Sequence, residues 1–234
     1  MRLLITRPEP DASRSAAALR ARGHAVEIAP LLRIESIDDA DLGDGPWGAV
    51  LVTSANAARA IAAHPRRREL AALPLFAVGR RSAEAARAAG FAAVTSADGD
   101  AKNLADVVAA HVKPGRPLLY LAGEDRAADL EGILAAQNLA LRTGIVYRAV
   151  METQFSPKVR AALAAGEIDG VLHYSRRSAE AFLAAAAVAG IAVGALAARH
   201  YCLSAEVAEP LRRAGVDVAV AARPEEAALF DLLG

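Results

Sequence analysis

VLVTSANAARA, Val50 to Ala60, decides the fold, and VLHYSRRSAEAF, Val171 to Phe182, echoes it 121 residues later. Each opens on a short apolar run and reaches a Ser where a helix N-cap belongs, at Ser54 and Ser175. Each then continues as Ala- and Arg-rich helical sequence. Such an apolar run, bounded by a turn, reads as a strand buried on both faces, the kind that parallel sheets use. A Ser at the strand-to-helix turn leaves backbone N–H groups free at the positive end of the helix dipole, which suits an anionic ligand. Two such turns predict two similar half-sites for one substrate.

The same alternation runs outward in both directions. Arg2 to Thr6 reads as a strand, Asp11 to Arg22 as a helix closed by Gly23, and Ala25 to Ala29 as a strand. Pro30 to Ser36 continues extended, and the acidic Asp38 to Trp47 reads as a surface loop. Pro65 to Arg68 is a solvated basic turn. Leu75 to Val78 is a strand feeding a helix that opens at Gly79-Arg80-Arg81-Ser82 and ends at Gly90. A short strand, Phe91 to Val94, precedes the helix Ala101 to His111. Leu118 to Leu121 leads into a helix around Arg126 to Gln137, and Leu139 to Thr153 alternates as one long strand. Ser156-Pro157 opens a helix with Pro at its first position. Tyr201 to Leu203 is a strand that enters a helix through Ser204, closed at Gly215. Val216 to Val220 and a last helix from Pro224 complete the chain.

Three stretches recur in the same order. LLITRPEPDASRSAAALRARG is echoed by LLYLAGEDRAADLEGILAAQN, the Val50 unit by the Val171 unit, and PLFAVGRRSAEAARAAGF by RHYCLSAEVAEPLRRAGV. In an Ala-rich chain one match could be chance; three in register predict an α/β fold of two similar domains, each a parallel sheet flanked by helices.

Composition narrows the chemistry. With 54% hydrophobic residues the chain can bury full cores, and Lys+Arg balance Asp+Glu at 27 each, so no net field draws nucleic acid or an anionic membrane. The single Cys202 excludes an internal disulfide and a multi-cysteine metal site, and the five His show no metal-ligand spacing. His173 and His200 fall in or beside strands and read as polar core positions. Ala181 to Ala198 carries no charge, but it is mostly Ala interrupted by Gly190 and Gly194, too weakly apolar to insert. The N-terminus runs straight into strand-like sequence without a secretory signal, which predicts a cytoplasmic protein with no membrane partner. Walker, dinucleotide-binding and G-x-S-x-G motifs are absent.

Taken together, LLITRP, VTSANA, AVGRRSAEAARAAG, LLYLAGEDR, IVYRAV, YSRRSAEAF and the closing Pro224 with its helix resemble the uroporphyrinogen-III synthase family over essentially the whole chain. The resemblance implies two α/β domains joined by two extended linker strands, with PLLRIES and GIVYRAV at the linker positions. It places residues 1–33 with 151–234 in one discontinuous domain and 34–150 in the other. It implies cyclisation of hydroxymethylbilane to uroporphyrinogen III, with loss of water and inversion of the terminal ring. No metal or organic cofactor is implied. The partner is then a small linear tetrapyrrole polycarboxylate, not a nucleic acid, and the protein a monomer. A non-catalytic binder of a tetrapyrrole or other polyanion is the alternative.

A flexible polyanion is held by hydroxyls, helix N-termini and a few Arg forks. The candidate substrate contacts are Arg7, Thr53, Ser54, Asn56, Gly79, Arg80, Ser82, Arg126, Ser175, Arg176, Ser178 and Ser204. Plain capping would equally explain the serines, a solvated helix face the arginines, and balance against Glu124-Asp125 would explain Arg126. Tyr147 matches a tyrosine of the family's pattern and is the candidate catalytic acid, since a phenol keeps its proton at neutral pH. Glu206 stands where the family commonly has a hydroxyl residue, and Ala122 where it often has Arg before the Gly.

Overall fold

The computed structural model describes residues 1–112, 115–125, 129–191 and 198–234. The chain forms two compact units, Met1–Arg33 with Val150–Gly234, and Ile34–Ala149. It opens with β1 (Arg2–Ile5), α1 (Asp11–Ala21), β2 (Ala25–Ile28) and β3 (Leu32–Ser36). Next come β4 (Val50–Val52), α2 (Ala55–Ile61), α3 (Arg67–Ala71), β5 (Leu75–Ala77), α4 (Arg80–Ala88) and β6 (Val94–Ser96). Then follow α5 (Ala101–His111), β7 (Leu118–Gly123), α6 (Leu130–Ala135) and the long β8 (Leu141–Met151). The chain closes with α7 (Pro157–Ala164), β9 (Gly170–His173), α8 (Arg176–Ala189), β10 (Arg199–Cys202), α9 (Ala205–Arg213), β11 (Val218–Val220) and α10 (Glu226–Phe230).

The first unit holds the sheet β11-β10-β9-β1-β2, in which every pairing is parallel. The second holds β3-β8-β7-β4-β5-β6, parallel from β8 to β6. Its edge strand β3 runs against β8: Ile37 N–H donates to Val146 O at 2.9 Å, while the earlier Glu35 meets the later Arg148 at 2.8 Å. The sequence echoes map one sheet onto the other. Pairing β1 with β7, β2 with β8, β9 with β4, β10 with β5 and β11 with β6 gives both sheets the same spatial order. The second unit is therefore a circular permutation of the first, entered at its third strand instead of its first.

Each sheet is covered on both faces, which is why its strands are continuous apolar runs. In β1, Leu3 and Ile5 join a core with Ala12, Leu19, Leu229 and Phe230 of α1 and α10, while Leu4 points into the other core with Phe182, Leu163 and Val159 of α8 and α7. In β4, Val50 and Val52 pack on α2 and α4, and Leu51 on α5 and α6. Serine caps start the helices as their sequence predicts: Ser54 Oγ accepts from Asn56 N–H at 3.1 Å, Ser175 from Ser178 at 3.1 Å, Ser156 from Val159 at 3.3 Å and Ser204 from Val207 at 3.4 Å. Gly190 ends α8 after 14 residues in the left-handed region, at φ 70°. Among the described residues no helix is long and apolar enough to cross a membrane. Residues 192–197 of that uncharged stretch lie outside the described residues.

Three readings change. The acidic stretch Asp38 to Trp47 is anchored: Leu42 and Trp47 are 2% and 6% exposed and join the core of the second unit. Polar neighbours hid two large apolar side chains whose burial outweighs the loop's charge. The basic turn at Pro65 to Arg68 is the approach to α3, whose Leu70 is fully buried and supplies the apolar contact that holds so short a helix. Phe91 is likewise core rather than strand, and β6 begins three residues later, at Val94.

Candidate active site

Open parallel sheets bind ligands beyond the carboxyl ends of their strands, where neighbouring strands connect away in opposite directions. In the second unit that point lies between β4 and β7. Thr53 and Ser54 close β4, and Gly123 and Glu124 close β7. Thr53 Oγ1 is hydrogen-bonded to the Tyr120 hydroxyl at 2.6 Å. Tyr120 was not among the expected residues; as a 3%-exposed tyrosine within a strand it reads as plain core. Asn56, in the first turn of α2, accepts from Arg59 at 2.9 Å.

Tyr147 belongs to the same crevice. Ala122 pairs with Ile145 and Gly123 with Tyr147, so β8 carries one extra residue, Val146, at a bulge. Glu124 N–H donates to Tyr147 O at 3.0 Å and fixes the strand there. The ring is half-buried against the core of this unit, and no hydrogen bond engages its hydroxyl among the described residues. Beside β4, Gly79 precedes α4. Arg80 is 82% exposed and meets Asp98 at 3.2 Å. The Asp98 carboxyl is held below its usual range, first by the Ser96 hydroxyl and then by Arg80. Ser82 is 5% exposed, in the first turn of α4. Arg126 lies outside the described residues.

In the first unit the equivalent point lies between β1 and β9. Arg7 leaves β1 with an 11%-exposed side chain, meets Glu226 at 2.8 Å and Asp11 at 3.5 Å, and donates to Ser15 at 3.1 Å. Its guanidinium stacks 4.1 Å from the Tyr174 ring centroid. Ser15 also donates to Glu226. Burial, the dominant cause, pushes the Tyr174 phenol up to about 12. Within that net rise Glu226 adds to burial, while Ser15 and Arg7 oppose it without reaching the oxygen in normal hydrogen-bond geometry. Neither Tyr174 nor Glu226 was expected; Glu226 stands 219 residues from its partner, beyond any local pattern.

Ser175 caps α8 and shares a 2.8 Å hydroxyl–hydroxyl bond with Ser178, which is 1% exposed, so the Ser178 hydroxyl is taken up by the cap. Arg176 is matched by Glu180 at 2.9 Å and Glu209 at 3.5 Å. Ser204 caps α9, and Glu206 lies exposed in that helix's first turn, where the dipole favours a carboxylate. Arg7, Arg80 and Arg176 thus each carry a carboxylate of the protein itself.

Residues 13–231 match the sequence model of the family described as uroporphyrinogen-III synthase HemD. The chain belongs to the uroporphyrinogen-III synthase family. A uroporphyrinogen-III synthetase from Helicobacter pylori is similar in structure, with a TM-score of 0.68 at 17% identity over 100% of this chain and 98% of that one. A mutant uroporphyrinogen III synthase from the extremely thermophilic bacterium Thermus thermophilus gives a TM-score of 0.51 at 16% identity, over 100% and 97%. At such identities the structures speak for the fold alone; the sequence match carries the family. No curated relative matches the sequence significantly. As a uroporphyrinogen-III synthase the chain is a cyclising lyase of tetrapyrrole biosynthesis, acting on a linear tetrapyrrole.

Proposed function

We propose that this synthase turns hydroxymethylbilane into uroporphyrinogen III chiefly by positioning, with Tyr147 as the proton donor. The supporting observation is the β7–β8 bulge, which sets the Tyr147 ring over Gly123 at the end of β7, its hydroxyl without a hydrogen bond among the described residues. Loss of the hydroxymethyl oxygen is intrinsically easy, because the pyrrole nitrogen stabilises the cation. The phenol O–H delivers its proton to that oxygen, which leaves as water. The substituted α-carbon of the terminal ring attacks to form a spiro-pyrrolenine, whose old bridge C–C bond then breaks. The freed methylene closes on the unsubstituted α-carbon, and the proton lost there restores the phenol, so two C–C bonds form, one breaks and one water is released. The harder task is making the more crowded carbon attack, and holding the chain in that geometry supplies the discrimination.

In this reading the groups that meet substrate carboxylates are Thr53, Ser54, Asn56, Gly79, Ser175 and Ser204. Arg7, Arg80 and Arg176 exchange an internal carboxylate for a substrate one, and Arg126 supplies a further contact. Ser178 acts through the Ser175 cap to which it is bonded, and Ser82 contributes from the first turn of α4. The units, taken as residues 34–150 and as 1–33 with 151–234, serve as independent domains; their separate cores support this. The enzyme works as a cytoplasmic monomer without nucleic-acid or membrane partners, which the balanced charge supports.

The contact at Ser175 is separable from its cap. Replacing a capping Ser by Gly costs only a few tenths of a kcal/mol, whereas Ala costs about 1 kcal/mol. Ser175→Gly is expected to raise KM several-fold with kcat nearly unchanged and little loss of melting temperature. A KM equal to the parent's would leave the hydroxyl as a cap alone.

A further inference from the structure

Gly123 ends β7 with its backbone outside the left-handed region, so conformation does not demand a glycine there. Space does. A Cβ built on Gly123 would lie 2.5 Å from Tyr147 Cζ, 2.8 Å from its hydroxyl oxygen and 2.9 Å from Cε2, all closer than real Cβ atoms approach. The obstacle is the reacting end of the ring, not its root. The bulge creates this contact. In a regular strand successive side chains face opposite sides of the sheet. Here consecutive Val146 and Tyr147 both join the core packed on α2 and α4, because the extra residue turns Tyr147 back over Gly123. Val146, 1% exposed, fills the core, and the Glu124 N–H to Tyr147 O bond closes the far side of the bulge.

We infer that Gly123 is a positioning residue for the reaction: its missing side chain is the seat on which the Tyr147 phenol rests. The inference depends on Tyr147 being the acid. Any side chain at 123 displaces the hydroxyl by about an ångström or more, and a misplacement of about 1 Å can cost on the order of a hundredfold in rate. Gly123 touches no substrate and acts through the ring alone.

The test is a double-substitution cycle read in kcat and KM on enzymatically generated hydroxymethylbilane. Gly123→Ala is expected to lower kcat at least tenfold with KM within about twofold. Added to Tyr147→Phe, which has no hydroxyl to misplace, it is expected to lower kcat no further. Equal losses in both backgrounds would overturn the inference, since a general structural defect would act on each. If Tyr147→Phe lowers turnover and Gly123→Ala does not, the inference fails while the acid reading stands; if Tyr147→Phe is fully active, the acid reading itself fails. Should Gly123→Ala not fold, the comparison moves to Tyr147→Ala, where a Cβ at 123 meets no ring. There Gly123→Ala is expected to leave the melting temperature unchanged, and a further drop would show that the glycine serves something other than the phenol.

Discussion

Tyr147→Phe is expected to lower kcat about a hundredfold, the lower end of what a positioned general acid supplies, while KM and melting temperature stay near the parent's. A hundredfold corresponds to about 2.7 kcal/mol of transition-state stabilisation. The ring keeps its packing against the core and its seat over Gly123, so only the hydroxyl is lost. No protein hydrogen bond to that hydroxyl is broken among the described residues, so stability has little reason to change. The type III share of product is also expected to fall, because unassisted closure without inversion competes once the assisted departure slows. Single-turnover measurement separates this chemistry from product release. A Phe variant with full kcat would remove Tyr147 from the mechanism.

Stability is expected to fall steeply between pH 6.5 and pH 4, before most carboxylates titrate. His173 and His200 are 0% and 1% exposed, stack with ring centroids 5.3 Å apart, and share one hydrogen bond, Nε2 to Nδ1 at 3.0 Å. Phe182 packs edge-on against both rings, and His173 Nδ1 and His200 Nε2 have no partner among the described residues. Nothing there welcomes a positive charge. Burial, and for His173 also the neighbouring His200, holds His173 well below its ordinary range, and burial lowers His200 to about 4. Both folded-state values lie below the unfolded one, so the unfolded chain binds protons first as pH drops. Their full contribution is present above about pH 6.5 and is lost progressively down to the folded values. For His200 alone the fall from 6.5 to about 4 amounts to about 3 kcal/mol, with His173 adding in the same direction. Urea unfolding at pH 7 and pH 4.5 measures it. Replacing both His by Leu is expected to flatten that slope, and an unchanged slope in the double variant would place the acid sensitivity elsewhere.

The strand–helix alternation, the serine caps at 54, 156, 175 and 204 and the two-sheet architecture were legible because each rests on local patterns: short apolar runs, a hydroxyl at the turn, and an echo in register. The echoes even carried the spatial strand order, although the permutation between the sheets became visible only once the pairing was known. What escaped depends on residues distant in sequence. The partners that Arg7 finds in Glu226 and Tyr174 arise where strand neighbours bring far segments together. The seat at Gly123 went unseen because a close approach across a bulge leaves no mark in composition. Ser82 and Ser178, expected as substrate contacts, are the third residues of α4 and α8 and lie buried there, a burial that no local pattern announces.

The central claim is that this protein holds the bilane so that inverted closure outruns spontaneous closure. The most direct measurement generates hydroxymethylbilane enzymatically in its presence, oxidises the product and resolves the type I and type III isomers. Type III in large excess over a protein-free blank is the expected result; a product of type I alone, as in the blank, would contradict the account.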